Sequence, residues 1–391
     1  MDLITPLKPR LWRDRDVRNY TRVTDAGARY MFLSSDLWGY PLDKWPRGRP
    51  WVDTTAYKQF MRTLAEERRG LSLIWDIWDK PDPFSGPLYL GGEHWDGLEQ
   101  QFFETYLRAY RVLREVLGPD VPVAGPSITR YDAGMLTRFA DFCLANGCEI
   151  NVLTWHETGR DPPGSAYKPH SIVSSHLQLA RQNIVANPKY APLKIREIHI
   201  TGVVGPQETQ NPAAILSYFQ FLEQGGADAA ARACWPEPGV ESSCENNTLG
   251  GLLTLDFRRR ASWWAYALYA SGVESRVTST STDPRFAVLA SRAAGTNQAQ
   301  VLVGYSSVNY FAAPLQTWLE VKLERVANLP FPVGSRLRVA VQQVPGSGFD
   351  AVAAPTPLGS QVVDVVNGVA RVIIEGADRD ALYQLLVSPV P

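Results

Sequence analysis

Acidic, basic and aromatic side chains are concentrated in the segment IWDIWDKPD, residues 74–82. Asp76, Asp79 and Lys80 follow a short apolar run, and Trp78 stands between the two acids. Carboxylates can exchange protons with a glycosidic bond, and flat aromatic rings can stack on sugar rings. The segment therefore predicts the end of a buried strand whose last side chains act on, or hold, a carbohydrate.

Other apolar runs end in the same kinds of side chain. Acids, histidines and tryptophans follow four of them: Asp36 and Trp38, His156 and Glu157, His199, and Trp235. In a βα barrel the C-terminal ends of the strands open at one mouth, so we expect these side chains to converge there.

Several other kinds of site are excluded by what the sequence lacks. There is no Gly-rich phosphate loop after a strand, and the histidines do not have the spacing of a helical zinc site, so we predict no cofactor and no metal. A net charge of -1 argues against a nucleic-acid partner. No apolar run reaches about 18 residues, which predicts that the chain does not cross a membrane. The predicted partner is a carbohydrate, and the oligomeric state stays open.

The elements that must position these side chains follow from the alternation of short apolar runs and amphipathic stretches. Up to about Trp235 this alternation is typical of βα units around a parallel sheet. It predicts a (β/α)8 TIM barrel in which one strand is missing from view, because only seven candidates are found. The predicted strands are 7–12, 29–34, 71–78, 121–125, 150–155, 194–201 and 227–235.

The C-terminal third has a different pattern. From Val273 to Pro391 short alternating runs such as LRVAVQQV are separated by turn residues, which predicts an antiparallel β-sandwich. We therefore expect two domains, a barrel over residues 1–272 and a β-sandwich over residues 273–391. Val, Thr, Gly and Pro are frequent in the second of them.

The motif WDIWDKPD resembles the WEIWNEPD segment of retaining glycosidases of the large (β/α)8 clan, especially glycoside hydrolase family 39. The segments that follow resemble the family's succession in the same order, among them VAGPSITRYD, VLTWHETG and EIHITGVVGPQETQNP. RRRASWWAYALYA resembles the closing helix before the family's β-sandwich. The resemblance covers nearly the whole chain from about Leu7, and it implies the same two-domain fold.

Two departures from the family separate this chain from an ordinary retaining enzyme. The family's acid/base glutamate falls at Lys80, and its nucleophile falls at Gly202. An ordinary lysine has a pKa near 10.4 and is too weak an acid to assist a leaving group, while glycine offers no group at all. The usual double displacement with these two positions is therefore excluded.

Three functions remain open. The first and favoured one is hydrolysis by other carboxylates, with Asp79, Glu157 and Lys80 as the predicted catalytic residues. Because a cation lowers the pKa of a neighbouring carboxyl, Asp79 suits a base or nucleophile, and Glu157 across the mouth is the candidate acid. The predicted substrate contacts are Asp36, Trp38, Asp76, Trp78, His156, His199 and Trp235.

The second function is carbohydrate binding without cleavage, which the loss of both family carboxylates favours. The third is β-elimination from a uronide, in which Lys80 would neutralise a carboxylate and His156 or His199 would accept a proton. For hydrolysis, Asp79→Asn or Glu157→Gln should lower turnover by orders of magnitude without affecting folding. If Lys80 and Gly202 are relics, changing both to Glu should restore ordinary glycosidase activity.

Alternation and cysteine spacing give two further expectations. Glu197 and His199 share one face of their strand, and strict alternation would place Gly202 on the opposite face.

The four cysteines form two local pairs, 143 with 148 and 234 with 244, whose spacing suits short disulfide loops in an exported protein. An extracellular or periplasmic location is favoured if a leader was removed, and a cytoplasmic one otherwise.

Overall fold

The computed structural model describes most of the chain. The described residues are 2–40, 43–82, 94–159, 169–239, 243–244, 246–283, 286–292, 298–305, 318–324, 326, 329 and 333–390.

Seven parallel strands form the first sheet, in chain order. The first and last strands also contact each other, so the sheet is a nearly closed barrel. The prediction of a barrel is confirmed, and the described residues contribute the seven strands that the sequence indicates. The strands are β1 (Leu11–Asp14), β2 (Arg29–Leu33), β3 (Leu73–Asp76), β4 (Val123–Ile128), β5 (Val152–Glu157), β6 (Glu197–Val203) and β7 (Ala229–Arg232).

Eight α-helices accompany these strands in the described part of the chain. Their ends follow local capping chemistry: Asp53, Asp132 and Asn211 each accept a backbone N–H at the start of a helix, and Gly226 takes a left-handed conformation after one. The helices are α1 (Tyr20–Asp25), α2 (Ser35–Trp38), α3 (Thr54–Glu67), α4 (Glu99–Leu117), α5 (Ala133–Asn146), α6 (Ser171–Ala180), α7 (Pro212–Gly225) and α8 (Ala261–Gly272).

Alternation along each barrel strand separates an inner from an outer set of side chains. The inner set includes Leu11, Met31, Ile74, Ala124 and Val152, which form a small buried cluster inside the barrel. The outer set packs against the helices in the main hydrophobic core. Side chains that continue the inner set at the C-terminal strand ends must therefore face the mouth.

The second domain is an antiparallel β-sandwich, as the sequence predicts. β13 pairs with β12 over most of its length and with β14 only at Val365 and Val366, so it passes from one layer to the other. Side chains of both layers meet in one apolar core. The strands are β8 (Arg276–Val277), β9 (Phe286–Arg292), β10 (Ala299–Tyr305), β11 (Trp318–Glu324), β12 (Arg336–Val344), β13 (Thr356–Val366), β14 (Val369–Glu375) and β15 (Leu382–Pro389).

Polar contacts tie the sandwich to the last barrel helices. Asn211, at the start of α7, donates to Asp380 at 2.7 Å. Gln220 on α7 accepts the backbone N–H of Val288 at 2.6 Å. Trp264 on α8 donates to the carbonyl of Val352 at 2.8 Å.

The two cysteine pairs differ. Cys234 and Cys244 form a disulfide, whereas Cys143 and Cys148 are buried free thiols. The spacing argument therefore holds for one pair and not for the other. None of the described helices combines the length and the apolar character that a membrane span requires.

Candidate active site

An ion-pair cluster lies where β1, β3 and β5 reach the mouth of the barrel. Arg13 at the end of β1 donates to Asp76 Oδ2 at 2.8 Å and to Asp79 Oδ1 at 2.6 Å. His156 Nε2 approaches the same oxygen of Asp79, at 3.2 Å, from β5. Alternation aims Arg13, Asp76 and His156 inward because each lies two residues, or a multiple of two, beyond an inner core residue of its strand.

Asp79 is a buried carboxylate surrounded by nitrogen atoms. Its second oxygen, Oδ2, lies 3.2 Å from His94 Nδ1 and 3.8 Å from Lys80 Nζ. Burial by itself would raise its pKa, but the charges of Arg13, Lys80 and His156 outweigh burial and hold the pKa well below the usual range. Asp79 is therefore ionised at any ordinary pH, and Oδ2 is its more loosely held oxygen.

Asp36 has the opposite character. It lies on α2, directly after β2, and is half-buried, with Ser35 Oγ 3.4 Å from its Oδ1. Burial and, after it, the negative charge of Asp79 together raise the pKa of Asp36 to about 6, although the charges of Arg13 and His94 oppose the rise. The mouth thus holds one carboxyl that keeps its proton in mild acid and one that does not.

Asp76 is a fully buried member of the cluster. It accepts hydrogen bonds from Arg13 and, at 2.8 Å, from Ser127 Oγ on β4. Burial raises its pKa, and Arg13 and Ser127 oppose this rise. Its oxygens are directed at protein groups, so Asp76 positions Arg13 beneath the mouth.

Lys80 occupies a strained backbone position at this mouth. Its φ is +49°, in the left-handed region that residues other than glycine seldom adopt. Its backbone N–H donates to the carbonyl of Ser127 at 2.9 Å. The side chain is 30% exposed, and its amine is directed toward Asp79. Strain of this kind is concentrated at functional sites.

Gly202 lies beside the ring of His156. β5 and β6 pair Trp155 with Ile200 and then His156 with Gly202, so Thr201 is an extra residue on β6. A Cβ added to Gly202 would lie 2.4 Å from His156 Cδ2. The expectation that Gly202 faces away from the Glu197–His199 side is therefore wrong, because the bulge at Thr201 changes the phase of alternation.

Glu157 does not join Asp79 in the part of the chain described. It follows His156 on β5 and points to the opposite, helix-facing side of the strand. Its Oε1 accepts from Trp155 Nε1 at 2.7 Å and lies 2.7 Å from Nδ1 of His176 on α6. The carboxylate thus lines a narrow cleft together with His156, Tyr131, His170 and Tyr218 among others.

The predicted aromatic contacts are mostly packing residues. Trp38 and Trp78 are 2% and 1% exposed, and neighbouring aromatic rings pack against them in T-shaped contacts. Their indole N–H groups donate to the carbonyls of Gly48 and His94. Trp235 is half-buried after β7, and its Nε1 donates to the carbonyl of Val204 at 2.8 Å.

His199 lies inside the barrel, away from the mouth cluster. Its Nε2 is 2.6 Å from Glu197 at the first position of β6, and Glu197 also pairs with Arg29 at the first position of β2. The N-terminal ends of the strands face the end of the barrel opposite the mouth. These contacts therefore direct His199 away from Asp79.

Two groups of this cluster carried a weak signal in the sequence. Arg13 is the third residue of the run LWRD, and the structure shows it in an ion pair at the end of a strand. His94 lies fourteen residues beyond Lys80 in the chain, and its ring packs 4.2 Å from that of Tyr40. Only the fold brings His94 to Asp79. Among the described residues no group of three or more His, Cys, Asp and Glu is placed to hold a metal ion.

Comparisons with known proteins identify the fold. No family model matches the chain, and no curated protein does. Solved structures do match: N2152 from Neocallimastix frontalis, with a TM-score of 0.75 and 18% identity, covers 100% of this chain and 91% of its own. The family 39 glycoside hydrolase from Xanthomonas axonopodis pv. citri has a TM-score of 0.58 and 16% identity, over 96% of this chain and 83% of its own.

A third solved structure, a monomeric β-xylosidase from Caulobacter crescentus CB15, has a TM-score of 0.60 and 14% identity, over 96% of this chain and 85% of its own. At these identities the likeness shows the fold alone. The chain therefore has a glycosidase-like fold, a barrel followed by a β-sandwich.

Proposed function

We propose that the protein hydrolyses a glycosidic bond at the barrel mouth, with Asp36 as the proton donor and Asp79 as the ionised carboxylate. The observation that carries this proposal is the contrast between two acids at one mouth. Asp36 has a pKa of about 6, and Asp79 has a pKa well below the usual range. Environments that separate two pKa values in this way create an acid and a base from the same chemical group.

The reaction requires one proton transfer at each carboxyl. Protonated Asp36 donates its proton to the glycosidic oxygen as the bond from that oxygen to the anomeric carbon breaks. Oδ2 of Asp79 accepts a proton from a water molecule as the water oxygen bonds to the anomeric carbon. Asp36 ends ionised and Asp79 protonated, and exchange with solvent restores both.

Arg13 and His156 have a supporting role in this scheme. Both contact Oδ1 of Asp79, which leaves Oδ2 directed toward the looser neighbours His94 and Lys80. A carboxylate held by one oxygen keeps a fixed orientation, which favours attack by a positioned water molecule.

The fold supports a carbohydrate as the ligand. Two of the solved structures that share it are named as a family 39 glycoside hydrolase and a β-xylosidase. The sequence prediction of Glu157 as the acid is not carried into the proposal, since its carboxylate faces α6 rather than Asp79. Lys80 contributes charge beside Asp79 rather than a proton.

Carbohydrate binding without cleavage is the second candidate. It is favoured by the tight hold of Arg13 and His156 on Asp79, because a carboxylate stabilised in its ionised form is a weak base. The two candidates differ in turnover and agree in binding.

Turnover on a panel of aryl glycosides and oligosaccharides, with binding measured in parallel, tests the proposal. We expect turnover at mildly acidic pH that Asp36→Asn abolishes while sugar binding persists. Binding without turnover in the unmodified protein would select the second candidate. Absence of both would overturn a carbohydrate function at this mouth.

A further inference from the structure

The ring of His156 fills the space that a side chain at position 202 would need. The Cβ position of residue 202 lies 2.4 Å from Cδ2 of this ring, which is too close for real atoms, and 3.3 Å from Nε2, which is a tight contact. His156 is almost fully buried, so it has little room to move away. Only glycine at position 202 admits the ring in this place.

The same ring is held at both nitrogens. Nδ1 lies 2.9 Å from the carbonyl oxygen of Ile128 on β4, and Nε2 lies 3.2 Å from Oδ1 of Asp79. Thr201, the extra residue of the bulge, also places its Oγ1 3.4 Å from Nδ1. Because Arg13 approaches Oδ1 as well, at 2.6 Å, this oxygen is clamped between two nitrogen groups from different strands.

We propose that His156 is a positioning residue, which turns Oδ2 of Asp79 toward the mouth, and that Gly202 serves this role by making room for the ring. The effects on turnover that this inference predicts rest on the proposed function. His156 need not touch the substrate. Its effect passes through the orientation and the charge of Asp79.

Displacing the ring should alter the titration of Asp79. The charged and titratable groups around Asp79 are Arg13, Asp36, Asp76, Lys80, His94 and His156. His156 is one of the groups that lower the pKa of Asp79, after Arg13 and Lys80. Moving it should raise that pKa, so the acid side of the pH–rate profile should move to higher pH.

The experiment compares Gly202→Ala, His156→Ala and the double variant. Gly202→Ala should lower kcat at least about tenfold with little change in KM, since orientation rather than binding is disturbed. The double variant should match His156→Ala alone, because removal of the ring leaves room for the methyl group. Gly334→Ala is the matched control, since a Cβ there meets nothing within 4 Å.

A readout that does not need turnover separates the two proposals. NMR titration of the Asp79 carboxyl carbon should give a higher pKa in Gly202→Ala than in the unmodified protein. If the protein turns over no glycoside, the proposed function fails, and this titration still decides the role of His156. An unchanged titration, or additive losses in the double variant, would overturn the inference.

Folding provides a further check. If Gly202→Ala does not fold, the clash with His156 predicts that the double variant recovers folding. Recovery would support the inference. If the double variant also fails to fold, the methyl group meets something other than His156 and the inference is overturned.

Discussion

Arg13 and Asp79 form a buried ion pair in which Nη2 and Oδ1 are 2.6 Å apart. The pair links the first strand of the barrel to the segment after the third, and it depends on burial at both ends: the two side chains are 11% and 7% exposed. Removing one partner from such a pair leaves an uncompensated charge in a region of low polarity.

Asp79→Asn should therefore destabilise the protein as well as abolish turnover. We expect a loss of about 3 kcal/mol in the free energy of unfolding, at the lower end for a broken buried pair because Asp76 still contacts Arg13. Urea denaturation measures it. Asp96→Asn is the control, since its pair with Arg49 is more exposed and should contribute under about 1 kcal/mol. If Asp79→Asn and the unmodified protein are equally stable, the expectation from the sequence that this substitution leaves folding intact is correct.

Glu157→Gln should leave turnover within a few-fold of the unmodified protein. The amide oxygen can still accept from Trp155 and His176, and the side chain lies on the helix-facing side of β5. Steady-state kinetics on the best substrate of the panel provide the measurement. A loss of several orders of magnitude, with an unchanged melting temperature, would return Glu157 to the mechanism as its acid.

The pH dependence of turnover should follow Asp36. Its proton is present below a pKa of about 6, so kcat/KM should fall as pH rises through 6. Asp36→Asn should lose the activity and, with it, this fall of kcat/KM with rising pH. A profile that stays flat between pH 5 and 8 in the unmodified protein would contradict the assignment of the acid.

The same pKa makes Asp36 a source of instability at higher pH. The folded pKa is raised, so the proton is bound more tightly by the folded state and stability falls as pH rises from about 4 to 6. A rise of about two units corresponds to at most about 3 kcal/mol, and partial solvent access reduces it. Asp36→Asn should therefore be more stable than the unmodified protein at pH 8 and nearly equal to it at pH 4, as thermal unfolding at both pH values would show.

Two substitutions of Lys80 separate the effect of its backbone strain from the effect of its charge. Lys80→Gly removes the amine and relieves the left-handed conformation, whereas Lys80→Ala removes the amine and keeps φ at +49°. The glycine variant should be about 1 kcal/mol more stable than the alanine variant. Both should raise the pKa of Asp79, which lies beside the missing amine. Equal stability of the two variants would show that the position carries no strain.

Restoring glutamate at positions 80 and 202 should not produce glycosidase activity by itself. The new side chain at 202 would clash with His156 from its first carbon onward. Adding His156→Ala to this pair of changes removes the obstacle, and activity with aryl glycosides is then expected if the two positions are relics. Glycosidase activity in the protein that carries Lys80→Glu and Gly202→Glu but keeps His156 would contradict the steric argument.

The barrel could be predicted from the sequence because its strands are short apolar runs that alternate with helical patterns. All seven predicted strands overlap β1 to β7. The cluster of Asp76, Asp79 and His156 followed from the same reasoning, since strand ends converge at one mouth.

The predictions about site residues that the structure does not match concern features that leave no periodic signal in the sequence. The bulge at Thr201 adds one residue without changing the apolar pattern of β6, so the direction of Gly202 could not be read from alternation. Trp38 and Trp78 resemble sugar-binding tryptophans in sequence, but the aromatic residues that cover them come from distant segments. The pairing of Glu157 with His176 depends on the position of α6.

The bulge also means that the chemistry at this strand end depends on a count of residues as well as on their types. Deleting Thr201 would restore regular alternation along β6 and leave Gly202 opposite His156, because the residue removed is the extra one. An alignment with a homologue whose sixth strand is uninterrupted must therefore carry a one-residue gap at this point, or it will equate side chains that point in opposite directions.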